Sequence, residues 1–261
     1  MILVDMSQIM MASIMMQMHM SKKSEPDEEM VRHMILNSLR MYRTRFLSEF
    51  GEMVLCYDSR HYWRRDYFPE YKHSRRKSRG TDDKNWDIIF NCLNTIKEEI
   101  KSNMPYKSVE VYGAEADDVI ATLCSESSNE VMILSGDKDF IQLQKFPNVK
   151  QYSPITKKMI NGMNPDDYLK EHVLKGDTSD GVPNVLSPDN TFVDGIRQRP
   201  LSKKKIATMV EGDFPNDEVK RNYQRNKKLI DLTCSPDELR SEILDTYKSA
   251  PVNDRSKILN Y

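Results

Sequence analysis

The chain has 261 residues, a formal net charge of −1, and 38% hydrophobic and 30% charged residues, enough for one sizeable core with a smaller domain appended. No apolar run approaches the length of a bilayer span, and the Met-rich opening lacks a basic leader and is interrupted by Asp5. On those features the expectation is a soluble, cytoplasmic protein rather than a membrane-spanning or exported one. The near-neutral total hides separated charge. Residues 60–80 carry eight Lys and Arg against two acids, and a second basic zone runs from Arg197 to Lys228. A chain divided in this way can turn one surface to a polyanion and another to cations. Cys56, Cys92, Cys124 and Cys234 form no Cys-x-x-Cys pair, so they read as reduced thiols, and no Cys/His grouping suits zinc.

In chain order, the first apolar run is Ile2-Leu3-Val4, succeeded by a Met/Ile-rich helical pattern from Ser7 to Met20. Residues 28–49 place Met30, Val31, Met34, Ile35, Leu39 and Phe46 at helical spacing. A second strand-like run covers Met53 to Tyr57. A helical pattern over 84–103 then carries Trp86, Ile89, Phe90, Leu93, Ile96 and Ile100. Val109 to Tyr112 forms a third run, a helix begins near Ala114, and Val131 to Leu134 forms a fourth. Strands alternating with helices predict an α/β fold with a mainly parallel sheet covered on both faces. After about residue 160 the strand-like runs thin out. Charged helices are predicted over 164–175, 202–211 and 216–231, punctuated by Gly176, Gly181, Pro183, Pro188 and Gly195. The division is therefore an α/β domain over 1–163 and a smaller helical region over 164–261. Pattern alone does not say how Cys234 to Tyr261 packs.

Every one of the strand-like runs leads into acidic residues. The first run ends in Asp5 and the second in Asp58. The third leads into Glu115, Asp117 and Asp118, and the fourth into Asp137 and Asp139. A single acid there is most simply a helix cap or turn residue. Four parallel strands ending in acids gather those acids at one end of the sheet, where such folds bind ligands. Unneutralised, they would repel and raise one another's pKa values, and bound cations resolve this. All-oxygen ligation points to Mg²⁺, with Mn²⁺ as the alternative. Two such ions could activate water and stabilise the leaving oxygen of a phosphodiester. No Gly-x-x-x-x-Gly-Lys-Ser/Thr loop is present, which argues against an NTPase. A further pair, Asp177 and Asp180, suits either a turn or metal ligation, and spacing leaves the two open.

The stretch Arg60 to Arg79 interleaves cations with aromatic rings directly after Asp58, as an element that binds phosphates and stacks on unpaired bases would. His61 and His73 read as polarity there rather than metal ligands. Taken with the acids, the ordered motifs Leu3-Val4-Asp5, Asp58 with Tyr62-Trp63-Arg64-Arg65-Asp66, and Tyr71-Lys72-His73-Ser74-Arg75 resemble the 5′-nuclease (flap endonuclease) family. Glu115-Ala116-Asp117-Asp118, Ser135-Gly136-Asp137-Lys138-Asp139-Phe140 and Lys175-Gly176-Asp177-Thr178-Ser179-Asp180 extend the resemblance, which is greatest to the T-even-phage type of ribonuclease H.

That resemblance implies a first metal site of Asp5, Asp58, Glu115, Asp117 and Asp137, and a second of Asp139, Asp177 and Asp180. Asp118 is counted with them, although neighbouring helix residues point in different directions. It implies that Lys72 and Arg76 contact the scissile phosphate from a basic arch over 60–80, supported by Arg64, Arg65 and Arg75, with Tyr71 stacking on a base. It also implies a helix-turn-helix-like element gripping duplex backbone, here with Lys203, Lys204 and Lys205. In relatives that element often holds potassium. The stretch from Leu186 to Pro200, in place of a short Gly-x-Gly turn, weighs against such a site. The implied activity is Mg²⁺-dependent hydrolysis near 5′ ends of RNA or DNA in duplexes, flaps and forks, removing primers during replication. A monomer is expected, working in the host cytoplasm if phage-encoded, with a single-stranded-DNA-binding protein and a sliding clamp as implied partners. A PIN-like endoribonuclease shares strand-end acids but not the long basic segment or the Asp177/Asp180 pair. A catalytically silent junction-binding protein would not need the complete acid set.

Overall fold

The computed structural model describes residues 1–80 and 84–260, without the side chains of 76–78 and 258–260. At its centre lies β1 (Ile2–Asp5), parallel to β2 (Met53–Cys56) on one side and β4 (Val131–Leu134) on the other. Outside these lie β3 (Lys107–Val109) next to β2 and β5 (Val149–Ser153) next to β4, also parallel. An antiparallel edge strand, β6 (Lys158–Ile160), completes the order β3-β2-β1-β4-β5-β6. The register sets Leu3 opposite both Val54 and Ile133. The carboxyl ends of β1, β2 and β4 are therefore level, as a shared site at that end requires.

The continuous apolar runs of the central strands arise from burial on both faces. Ile2 and Val4 join a core with α1 (Met6–Ser21), α2 (Glu28–Phe50) and α5 (Trp86–Asn103). Leu3 joins the opposite core with α6 (Ala116–Glu126) and the 3-10 helix Lys138–Lys145. β5 and β6 escape the sequence pattern because Val149-Lys150-Gln151-Tyr152-Ser153 and Lys158-Met159-Ile160 are polar. Only the β5 side chains are deeply buried. The third strand ends earlier than its apolar run predicts. Tyr57 N donates to Val109 O, after which the chain turns away towards Gly113.

Beyond the sheet, α7 (Pro165–Lys175), α8 (Lys203–Val210) and α9 (Asp217–Ile230) match the three predicted helices to within two residues. The basic segment folds as α3 (Trp63–Tyr67) and α4 (His73–Gly80) beside the acid-bearing strand ends. The chain's last part does not stay with α7–α9. Instead, α10 (Asp237–Ser249) returns to the sheet and buries Leu239 and Ile243 in the α6 core. No helix among the described residues is long and apolar enough to cross a membrane.

Candidate active site

The strand-end acids meet in one cleft of about 930 Å³ lined by Asp5, Asp58, Glu115, Asp117, Asp137, Asp139, Asp177 and Asp180. The capping and ligand readings of these acids are compatible. Asp5 caps α1 by accepting from Gln8 N at 3.0 Å and also accepts from Ser135 Oγ at 2.9 Å. Asp58 accepts from Ala116 N and Ser7 Oγ, each at 2.7 Å. Asp137 caps the 3-10 helix through Asp139 N, and its own N–H rests on Ser135 Oγ. The caps fix each carboxylate's direction and leave lone pairs for the cleft. Gln8, buried Ser135 and Gln151 tie these segments together: Gln8 takes Gly136 N, while Gln151 donates to the carbonyls of Ser135 and Asp137.

From the helical region, α7 ends at Gly176 (φ 68°), where a Cβ would stand 2.4 Å from Val182 O. Only glycine fits this turn. It swings Asp177 into the bridge with Val182 and towards Asp139. Asp177 then receives the N–H groups of Ser179 and Asp180. His172, on the last turn of α7, lies between Asp139 Oδ1 (3.4 Å) and Asp177 Oδ2 (3.6 Å). Sequence reasoning misses His172, whose only signal is a place five residues before Asp177 on a helix ending in Gly.

Electrostatics match this crowding. Burial and the charge of Asp58 raise the Asp5 carboxyl to about 7. Burial and Asp137 raise Asp139 to about 7 and push Asp117 well above the carboxylate range. Asp177 moves the other way: burial would raise it, but His172 and the loop N–H donors hold it below its usual value. Burial disfavours the His172 imidazolium, and Asp177 with Asp139 overcome that and raise its pKa.

Three expectations change at this point. Asp118 faces away from the cleft: fully buried, it accepts from Arg64, Ser235 Oγ, Trp63 Nε1 and Glu115 N. Arg64 is 1% exposed, bound to Asp118, Glu115 and Leu229 O, and so is a core ion pair rather than a phosphate contact. Tyr71 is 3% exposed with its hydroxyl on Glu115 and Asp180, leaving no face for a base. The half-buried Tyr62, on the cleft wall, is the ring better placed for one. Lys72, at a left-handed φ of 56°, reaches Glu115 at 2.5 Å and Asp180 at 3.5 Å. Arg75 likewise pairs with Asp180, and it lines the cleft with Arg65 and Arg79. The Arg76 side chain lies outside the described residues. Lys203, Lys204 and Lys205 stand exposed on the first turn of α8, whose N-cap is Ser202. In the preceding turn, the Pro183 carbonyl is occupied by Arg225 and Asn226.

A second large cleft, about 1010 Å³, opens at the opposite end of the sheet around Glu52, Tyr106 and Glu130. Its acids are already paired to Arg43 and Lys150, and parallel sheets place ligands at the other end.

An acid-lined cleft at the carboxyl ends of a parallel sheet, walled by a basic helix, defines a nuclease class that works with divalent metals. Residues 1–173 match the family model for the 5′-3′ exonuclease N-terminal resolvase-like domain, and 165–261 match that for the T4 RNase H C-terminal region. Over 99% of its length the chain is 34% identical to Ribonuclease H of Enterobacteria phage T4, spanning 90% of that protein. It is 29% identical over 47% of its length to flap endonuclease Xni of Shewanella sp. (strain MR-4), and covers 48% of that one. The chain belongs to the 5′-3′ exonuclease family and is a nuclease. In fold it is similar to the bacteriophage T5 D15 flap endonuclease solved with DNA and metal ions (TM-score 0.64, 14% identity, 95% and 99% of the two chains). It is also similar to the T5 5′-exonuclease with bound zinc (TM-score 0.66, 15% identity, 95% and 98%).

Proposed function

We propose that the protein hydrolyses phosphodiesters near the 5′ end of RNA or DNA strands held in duplexes, and so removes primers and flaps during phage DNA replication with Mg²⁺. The observation that carries this is the convergence of eight carboxylates in one cleft, with Asp5 and Asp139 raised to about 7. Carboxylates held so close and so poorly solvated fit a site for hard divalent cations, and the all-oxygen set around Asp5, Asp58, Asp117 and Asp137 fits Mg²⁺. Asp5, Asp58, Glu115, Asp117 and Asp137 would hold one ion, and Asp139, Asp177 and Asp180 the other. Bound there, the ions would supply Lewis acidity towards the phosphate and the attacking water.

The chain's own residues do the rest. Ser7, Gln8 and Ser135 keep the carboxylates aimed. Arg65, Arg75 and Arg79 set positive charge along the cleft wall, where a phosphate can take the place of the Asp180 carboxylate that Arg75 now touches. Lys72 sits deepest, between Glu115 and Asp180, and would track the scissile phosphate. Lys203, Lys204 and Lys205 would take duplex backbone well away from the acids, as the helical region over 164–261 is read to do. Recognition through phosphates carries little base sequence information, so specificity should depend on the shape of the 5′ end. The test is digestion of end-labelled nicked, flapped and RNA-primed duplexes in Mg²⁺ and in EDTA. Metal-dependent release of short products from the 5′ label is expected. Equal cleavage of single-stranded RNA at internal positions would defeat the reading.

A further inference from the structure

We infer that His172 is a nitrogen ligand of the second cation position, beside Asp139 and Asp177, and that it gives this position a preference for Mn²⁺ over Mg²⁺. The inference rests on the reading of the acids as cation ligands and adds to it a residue of a different chemical kind. One ligand atom from each of Asp139, His172 and Asp177 falls within 4.8 Å of the other two. Donors about 2.0–2.2 Å from a common ion are separated by roughly 3–4 Å, so the three need little movement to share one. His172 Nδ1 is buried and has no hydrogen-bond partner among the described residues. Its 3.4 Å approach to Asp139 is not aligned as a hydrogen bond. Each ring nitrogen faces a carboxylate. A neutral imidazole has one N–H and one bare lone pair, so in either tautomer a lone pair faces a carboxylate oxygen. Either a second ring proton or a shared cation relieves that repulsion, and a cation can be held by all three groups at once.

The ring is also held in place. Tyr168, one helical turn earlier, meets it edge-on at 5.5 Å, and the neighbouring Val173 and Leu174 are buried under α7. Asp177 comes next on the Gly176 turn, so the histidine and the aspartate are fixed relative to each other. The first position draws only on carboxylates. The second gains an imidazole, a nitrogen donor that the transition ion Mn²⁺ accepts more readily than the harder, oxygen-seeking Mg²⁺ does.

The experiment titrates Mn²⁺ into the full-length protein and reads bound ions by electron paramagnetic resonance, with pulsed measurement of nitrogen coupling to the bound Mn²⁺. Two Mn²⁺ ions and a clear nitrogen-14 modulation are expected. In His172→Ala and in His172→Gln the modulation should vanish, and one ion should bind about tenfold more weakly, while Mg²⁺ affinity changes less. Glutamine keeps a polar side chain of similar reach and guards against a packing defect in the alanine variant. Two bound Mn²⁺ ions without nitrogen coupling, or coupling that persists in both variants, would overturn the assignment of His172 and leave the acids intact. Failure of the unaltered protein to bind Mn²⁺ would overturn both readings.

Discussion

Asp5 and Asp137 each cap a helix and line the cleft, and Asp58 does similar work by accepting from the first N–H of α6. The ambiguity of a strand-end aspartate, cap or ligand, is therefore not a choice between alternatives: one oxygen is spent on the backbone, and that fixes the aim of the other. Asp137→Asn keeps the cap geometry and removes the charge. Cleavage should fall at least about 100-fold while duplex binding stays within about threefold; full cleavage in Mg²⁺ would remove Asp137 from the first site. Arg64 and Asp118 are the opposite case. Both carry charge in the right stretch of sequence, yet they are 1% and 0% exposed and are paired with each other. Nothing in their spacing distinguishes them from Arg65 and Asp117, because facing on a helix depends on what packs behind it. Arg64→Ala would strand Asp118 without its buried counter-charge, while Glu115 would keep only Lys72. A loss of about 3–5 kcal/mol is expected in denaturant unfolding, whereas Arg65→Ala, at the cleft wall, should cost less than about 1 kcal/mol. Equal losses would mean that Arg64 is solvated.

At the level of elements, the central strands and the long helices were legible because an apolar run of four residues and a 3.6-residue period each have one simple structural solution. β5 and β6 were not, since an edge hairpin can be polar on its open side and still pair through its backbone. The role of α10 was equally hidden: only Leu239 and Ile243 are buried on it, too few to mark a helix that closes the α6 core. The acid cluster was legible almost entirely. His172 was not, because a lone histidine carries no pattern until α7 docks. The turn after α7 shows how little sequence can decide a site. At Gly176 a methyl group would meet Val182 O at 2.4 Å and the Pro183 carbonyl at 2.6 Å, with φ at 68°. Gly176→Ala should therefore destabilise by roughly 2 kcal/mol or more. It should also displace Asp177, so that activity at saturating Mg²⁺ falls even well below the unfolding temperature. Loss of stability with unchanged activity would separate the turn from the site.

The molecule as a whole holds its acids together at an electrostatic cost that depends on pH. Asp5 and Asp139 are raised from ordinary values near 3.8 to about 7, first by burial and then by Asp58 and Asp137 respectively. Asp117 moves in the same direction. The folded state thus binds more protons than the unfolded chain between about pH 4 and pH 7, and stability must fall as pH rises through that window. Asp177 and Asp118 are lowered instead. Their contribution is present above pH 4 and lost only in stronger acid, so it does not offset the trend in this window. The raised pKa of His172 adds to the trend, because its favourable charge is lost as pH rises. A divalent cation bound to the ionised acids reverses the effect, and its affinity grows as the protons leave. In EDTA, the thermal midpoint should therefore drop between about pH 5 and about pH 8. With Mg²⁺ or Mn²⁺ in excess, that drop should shrink or vanish, and the gain from metal should be larger at the higher pH. Asp5→Asn removes one of the repelling charges. It should flatten the profile in EDTA, raise the midpoint near pH 8, and abolish much of the gain from metal. A metal gain that is the same at both ends of the range would mean that the gathered carboxylates are not where the cations bind.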